Sequence, residues 1–119
     1  MYHFREVVFK NEPTERKALV IEFDDPKMGI VGEFLMTDSS LLNYSVLDDL
    51  DKVLSGERDY IESSGNRCAL EIKKDKTLMT DLFEGLFDGF DTFPMYEINT
   101  QELKDLIVMW KEKVEKREK

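Results

Sequence analysis

The residues of this sequence best suited to chemistry are acids and aromatics that alternate over residues 80–96, with no Lys or Arg among them. The acids and aromatics of this run are Asp81, Phe83, Glu84, Phe87, Asp88, Phe90, Asp91, Phe93 and Tyr96. Aromatic rings supply a large apolar contact area and surrounding carboxylates select a basic partner, so the run has the composition of a protein-binding hot spot. The alternative is that the phenylalanines are core residues and the acids face water. Since five aromatics flanked by turn residues are hard to bury together, we expect Phe87 or Phe90 to be accessible.

Residues for nucleophilic catalysis or metal binding are scarce. Nucleophilic catalysis needs a nucleophile within reach of a base, and the chain has one histidine, His3, and one cysteine, Cys68. We expect His3 to be a surface ring near the N-terminus and Cys68 to be a small buried hydrophobe of a strand. Two such residues are too few for a structural zinc, and no calcium loop is present. We therefore expect no cofactor and no enzymatic activity; a carboxylate hydrolase would need a concave pocket holding a perturbed acid.

The acidity of the chain is segregated. The formal net charge is −9, and residues 28–51 and 77–103 hold five and six acids respectively with no base, which leaves the remainder at +2. A negative field steers a cationic partner, whereas nucleic-acid binding draws on Lys and Arg, so nucleic acid is not an expected partner. The alternative is that these acidic loops are merely solvated. The acids of the first stretch that would share an exposed helix side are Asp48, Asp49 and Asp51.

Length and composition indicate one globular domain over residues 1–119. Of its residues, 41% are hydrophobic and 36% charged, which is not the signature of disorder. The apolar runs are too short for a membrane span. A single cysteine fits a reducing compartment, so we expect a cytoplasmic protein without membrane association.

The first half of the chain predicts three strands and then a helix. Residues 4–10 and 18–24 alternate, residues 29–37 form an apolar run, and the short links between them favour an antiparallel meander. Ser45 followed by Asp48 predicts a capped helix over residues 46–54, which Ser55 and Gly56 end.

The second half predicts a hairpin, a short strand and a long helix. Residues 68–73 alternate, residues 74–77 form a turn, and residues 78–83 continue as a strand, although residues 78–87 also fit a helical period. Residues 95–98 predict another strand. Asn99 or Thr100 caps the last helix, whose apolar stripe is Leu103, Leu106, Ile107, Trp110 and Val114. The expected fold is α+β, with an antiparallel sheet of about five to six strands packed against a C-terminal amphipathic helix and one short helix.

Several segments carry a resemblance to a known class of protein. They are residues 50–56 (Leu-Asp-Lys-Val-Leu-Ser-Gly), Gly65-Asn66, Leu70-Glu71-Ile72, and residues 96–103 (Tyr-Glu-Ile-Asn-Thr-Gln-Glu-Leu) continuing to Trp110. The chain there resembles the small immunity proteins of bacterial polymorphic-toxin and contact-dependent-inhibition systems. The resemblance covers a little over half of the chain and assigns no functional residue. It implies an intracellular antitoxin that binds a cognate toxin domain, often a basic nuclease, and blocks its active site.

The leading hypothesis is stoichiometric inhibition of a basic toxin, in which carboxylates of this chain stand in for phosphates in the cleft of the partner. The alternative is an acidic regulatory or oligomeric module unrelated to toxins, with a homodimer left open. The candidate partner-binding residues are Asp48, Asp49, Asp51, Asp81, Glu84, Phe87, Asp88, Phe90 and Asp91.

Overall fold

A computed structural model describes residues 2–11, 14–41, 44–83 and 93–117, with side chains described for residues 2–6, 19–39, 44–83 and 93–116. The strands in this part of the chain are β1 (Tyr2–Asn11), β2 (Thr14–Phe23), β3 (Tyr60–Ser64), β4 (Cys68–Lys73), β5 (Lys76–Asp81) and β6 (Tyr96–Asn99). The helices are α1 (Gly29–Met36), α2 (Asp38–Leu41), α3 (Val46–Leu54) and α4 (Thr100–Arg117), with a 3-10 turn at Pro26–Met28.

The strands form two antiparallel sheets. β1 and β2 make a two-stranded hairpin, and β3, β4, β5 and β6 make a four-stranded sheet in that order. The α+β class is confirmed, but the strands do not join into one sheet. The physical reason is that α1 and the helices after it follow the first hairpin directly, so that hairpin packs on helices and gains no third strand.

The strand predicted over residues 29–37 is wrong, because this run is helix α1. Ile30, Val31, Phe34 and Leu35 are buried at spacings of one, four and five residues, which place them on the inward side of a helix. A short apolar run does not distinguish a buried helix from a buried strand. The packing of this run against both β2 and β5 favours the helix here.

The predicted hairpin of the second half is confirmed, with a tighter turn. β4 buries alternate residues, β5 pairs with it, and the turn occupies residues 74 and 75, since β5 already begins at Lys76. The strand interpretation of residues 78–83 is confirmed as far as Asp81, and residues 84–87 lie outside the described part of the chain. Strand β3 was not predicted, because its sequence, Tyr-Ile-Glu-Ser-Ser, carries only a weak alternation.

Both predicted helices are confirmed, with one difference at their caps. The side chain of Asn99 accepts a hydrogen bond from the Glu102 amide at 3.0 Å, which caps α4. Ser45 makes no such side-chain bond at the start of α3. The stripe of α4 is buried as predicted, with Val114 partly so. None of the helices in the described ranges is both long and apolar enough to cross a bilayer.

Helices α1 and α4 lie between the two sheets. α1 contacts both β2 and β5, and α4 contacts β5 and β6. On the hairpin side the rings of Phe4 and Trp110 stack with their centroids 6.3 Å apart. The core therefore forms on one face of the four-stranded sheet, where Cys68, Leu70 and Ile72 are buried under helices.

Candidate partner-binding surface

The nine candidate residues fall into two groups. Five of them lie outside the described residues: Glu84, Phe87, Asp88, Phe90 and Asp91. The others are Asp81, at the end of β5, and three acids of α3.

Asp81 is an internal carboxylate. Its side chain is fully buried and its two oxygens accept hydrogen bonds from Arg67 Nε at 3.1 Å and Arg67 Nη2 at 3.0 Å. The same oxygens accept from the amides of Phe83 and Phe93, each at 2.9 Å. Asp81 was expected to contact a partner directly because it lies in the acidic run. Its buried position does not fit that role, since both of its carboxylate oxygens accept hydrogen bonds from within the protein.

Arg67 completes the arrangement around Asp81. Its guanidinium lies over the rings of Phe83 and Phe93, at 4.8 Å and 5.2 Å from their centroids, and 3.8 Å from a carboxylate oxygen of Glu33. Burial alone would raise the pKa of Asp81, but the Arg67 guanidinium and the two amides outweigh it and lower that pKa below its usual value. The ion pair is therefore charged at neutral pH. We call Arg67, Asp81, Phe83 and Phe93 the clamp.

The clamp brings together the two ends of the segment formed by residues 84–92. Phe83 precedes this segment and Phe93 follows it, and one carboxylate binds the amides of both. Phe93 also packs against Gly29, where a Cβ would lie 2.8 Å from the ring. The acidic aromatic segment therefore begins and ends at one anchored point, although it is itself outside the described residues.

A second buried carboxylate, Asp38, binds the backbone of the strand end that carries Arg67 of the clamp. It accepts hydrogen bonds from the amides of Arg67, at 3.1 Å and 3.3 Å, and of Cys68, at 2.7 Å. Gly65 leaves room for it, since a Cβ there would lie 2.7 Å from the Asp38 carboxyl group. Asp38 thus orients the backbone from which Arg67 projects. Sequence reasoning missed Asp38 and Arg67, because the register of the β4–β5 hairpin, which places Cys68 opposite Asp81, is not fixed by a local pattern.

Exposed apolar side chains occur beside the clamp. Leu82 is 38% exposed and Met95 is 58% exposed, and they are the large hydrophobic residues that stand out as exposed in the described part of the chain. Leu82 lies between Asp81 and Phe83 in the sequence, and Met95 is two residues after Phe93. The anchored point therefore carries apolar surface that the core does not use.

The acids of α3 form a separate group. Asp48 and Asp51 are exposed and Asp49 is partly so. Lys104 of α4 approaches Asp51 at 2.6 Å, which partly neutralises this group. No hydrogen bond or ion pair among the described side chains connects these acids to the clamp.

A groove of about 460 Å³ lies between the β1–β2 hairpin and α4. It is lined by Phe4, Arg5, Glu6, Leu19, Lys113 and Lys116. Its charge is mainly basic, opposite in sign to the surface predicted to bind a partner.

The two residues considered for nucleophilic chemistry lie apart. Cys68 is buried as predicted, and desolvation raises the pKa of its thiol, which favours the unreactive protonated form. His3 is at the surface, as predicted, 3.1 Å from Glu22. Among the described residues, no group of three or more His, Cys, Asp or Glu side chains is arranged to hold a metal ion.

Comparison with known proteins finds similarity to a Bacillus cereus protein named "Immunity protein". The two are 39% identical over 80 residues, which are 67% of this chain and 65% of that protein. The aligned region thus spans slightly less than two thirds of the relative. No family model matches the chain. No solved structure matches it either.

Proposed function

We propose that this chain is an immunity protein, which binds a cognate protein toxin in the cytoplasm and neutralises it by forming a stoichiometric complex. The observation that carries this proposal is the 39% identity to the Bacillus cereus protein named as an immunity protein. The segregation of acidic residues along the sequence, an independent observation, supports a protein partner of basic character. The chain acts in this proposal by binding, and no reaction is assigned to it.

The finer proposal is that the toxin is a basic nuclease domain and that the chain occupies its active site. Carboxylates at Glu84, Asp88 and Asp91 would take the place of substrate phosphates, and Phe87 or Phe90 would supply apolar contact. What supports this is the anchoring of both ends of the segment, because an anchored segment loses less conformational freedom on binding than a free one. Asp48, Asp49 and Asp51 form the second candidate patch.

The test uses the purified chain and the product of the open reading frame next to its gene, which the proposal expects to be the toxin. We expect a one-to-one complex whose association rate falls by about tenfold or more between low and high salt, since exposed charges are screened beyond a Debye length. We expect nuclease activity to vanish at one equivalent of this chain and to return when excess nucleic acid competes. Absence of a complex at low salt would rule out the proposal.

Charge reversal locates the surface. Asp88→Lys with Asp91→Lys should slow association, whereas Glu112→Lys with Glu115→Lys, an equal charge change at exposed positions of α4, should change it much less. If the first pair leaves the rate unchanged, the binding site belongs at the acids of α3.

A further inference from the structure

Among the described residues, no helix packs on one face of the four-stranded sheet. In the described part of the chain, the buried residues of β4 and β5 lie on the helix side, and the alternate residues point to the other side. We call that side the open face. Its residues are Tyr60, Glu62, Ser64, Ala69, Glu71, Lys73, Lys76, Leu78, Thr80, Glu97 and Asn99.

The open face holds a like-charge pair. The register places Glu62 of β3 directly opposite Glu71 of β4. Both carboxylates are hydrogen-bonded by one donor, the Tyr60 hydroxyl, at 2.7 Å and 3.1 Å. Like charges directly opposite each other destabilise an antiparallel pair. No ion pair within the described ranges reaches either carboxylate, whereas Glu97 on the same face lies 3.7 Å from Lys76.

A depression lies beside this pair. Its volume is about 400 Å³, and its lining includes Glu62, Ser64, Ala69 and Glu71. Ala69 is small and partly exposed, and it lies on the same face two residues from Glu71, so it gives the depression a shallow apolar floor next to the two carboxylates. The shape and charge of the depression suit a lysine or arginine side chain, whose aliphatic part would pack on the apolar surface while its cationic group binds the two carboxylates.

The open face continues into the surface next to the clamp. Ala69 pairs with Thr80 in the register of β4 and β5, and Leu82 follows Thr80 at the next position of the alternation. Just before β6, Met95 precedes Glu97 by the same spacing. The exposed apolar pair Leu82 and Met95 thus connects the open face with the ends of residues 84–92.

We propose that the open face is part of the toxin-binding surface and that the depression beside Glu62 and Glu71 receives a basic side chain of the toxin. The inference rests on the proposed function. Three features support it: the two carboxylates complement a cation, no described helix covers this face, and the face continues into the segment proposed to bind. In the complex the incoming cation neutralises two carboxylates that repel each other in the free protein.

The test is Glu71→Gln, measured for both stability and binding. The amide keeps an acceptor for Tyr60 and removes the like charge, so Tm should rise by about 1–3 °C. The Kd for the toxin should rise about tenfold, since one charge of the site is lost. A residue with a merely structural role would lower Tm instead. The matched control is Glu112→Gln on α4, which should leave Kd within about twofold.

A second variant blocks the depression by volume. Ala69→Tyr suits an exposed strand position, so the fold should persist while the Kd rises by about tenfold or more. Binding of both variants at the strength of the unsubstituted chain would overturn the inference and leave the proposed function standing. A fall in Tm for Glu71→Gln would likewise overturn it. Failure of the unsubstituted chain to bind the toxin would instead overturn the proposed function.

Discussion

The ion pair between Arg67 and Asp81 should dominate the stability of the region around the clamp. Arg67→Met keeps an apolar side chain between Phe83 and Phe93 but leaves the Asp81 carboxylate buried with two amide donors. Removing one partner of a buried pair costs about 3–5 kcal/mol. Because the Arg67 side chain is 17% exposed and Asp81 fully buried, we expect a value near the lower end, about 3 kcal/mol.

A double-mutant cycle separates the pair from its surroundings. Asp81→Asn should cost about 2 kcal/mol, since Arg67 retains some solvent and the nearby Glu33. The double variant should be more stable than the sum of the two single effects predicts, by about 2 kcal/mol, since each single variant already breaks the pair. Urea unfolding followed by the fluorescence of Trp110, the one tryptophan of the chain and a buried one, measures all four proteins.

The pH dependence gives the same prediction an independent check. The folded pKa of Asp81 is lowered, so its contribution to stability is present above the pKa of an unfolded aspartate and is lost as pH falls through the folded value. In Arg67→Met the guanidinium no longer lowers the pKa of Asp81, so that pKa is higher than in the unsubstituted protein and less stability is lost when the carboxylate is protonated. The stability difference between the two proteins should therefore be largest near pH 7 and should shrink toward pH 3. Additivity of the cycle within about 0.5 kcal/mol would refute the reasoning.

Two further predictions concern buried polar groups away from Asp81. Gly65→Ala should destabilise the fold by about 2–4 kcal/mol, because the added Cβ displaces Asp38 from its amide donors. The same substitution made in the Asp38→Ala variant should cost much less. Equal costs in both proteins would show that the added Cβ does not clash with Asp38. Thr100→Val should cost about 1–3 kcal/mol because it leaves the Thr77 hydroxyl, now 2.9 Å away, without its buried partner. Thr80→Val on the open face is the control, expected within about 0.5 kcal/mol, and thermal or urea unfolding measures each variant.

Local patterns succeeded where one face of an element is buried and the other is solvated. The alternation of residues 68–73 and the apolar stripe of α4 each have that form, and both elements stand as predicted. Helix α1 was wrongly predicted as a strand, because none of its residues is exposed and its sequence therefore shows no polar face. So short an apolar run does not distinguish helix from strand, and its glycines and β-branched residues suggested a strand; its packing against β2 and β5 favours the helix.

The contact between Arg67 and Asp81 could not be predicted from local sequence patterns, for a different reason. A turn predicted over residues 74–77 leaves the register of the following hairpin open by a residue or more, and a shift by one residue moves every side chain to the other face. Only with the turn at residues 74 and 75 does Asp81 fall on the buried side, next to Arg67. The sequence therefore contained both partners without indicating that they meet.

The sequence by itself determined the class of the fold, most of the strands and helices, the segregation of acidic charge and the resemblance to immunity proteins. The tertiary structure decided which acids face inward. Asp81 and Asp48 have the same side chain in similarly acidic stretches, yet one is buried against Arg67 and the other is exposed. The physical reason is that the burial of a carboxylate depends on donors brought from distant parts of the chain, and these become adjacent only when the strands pair.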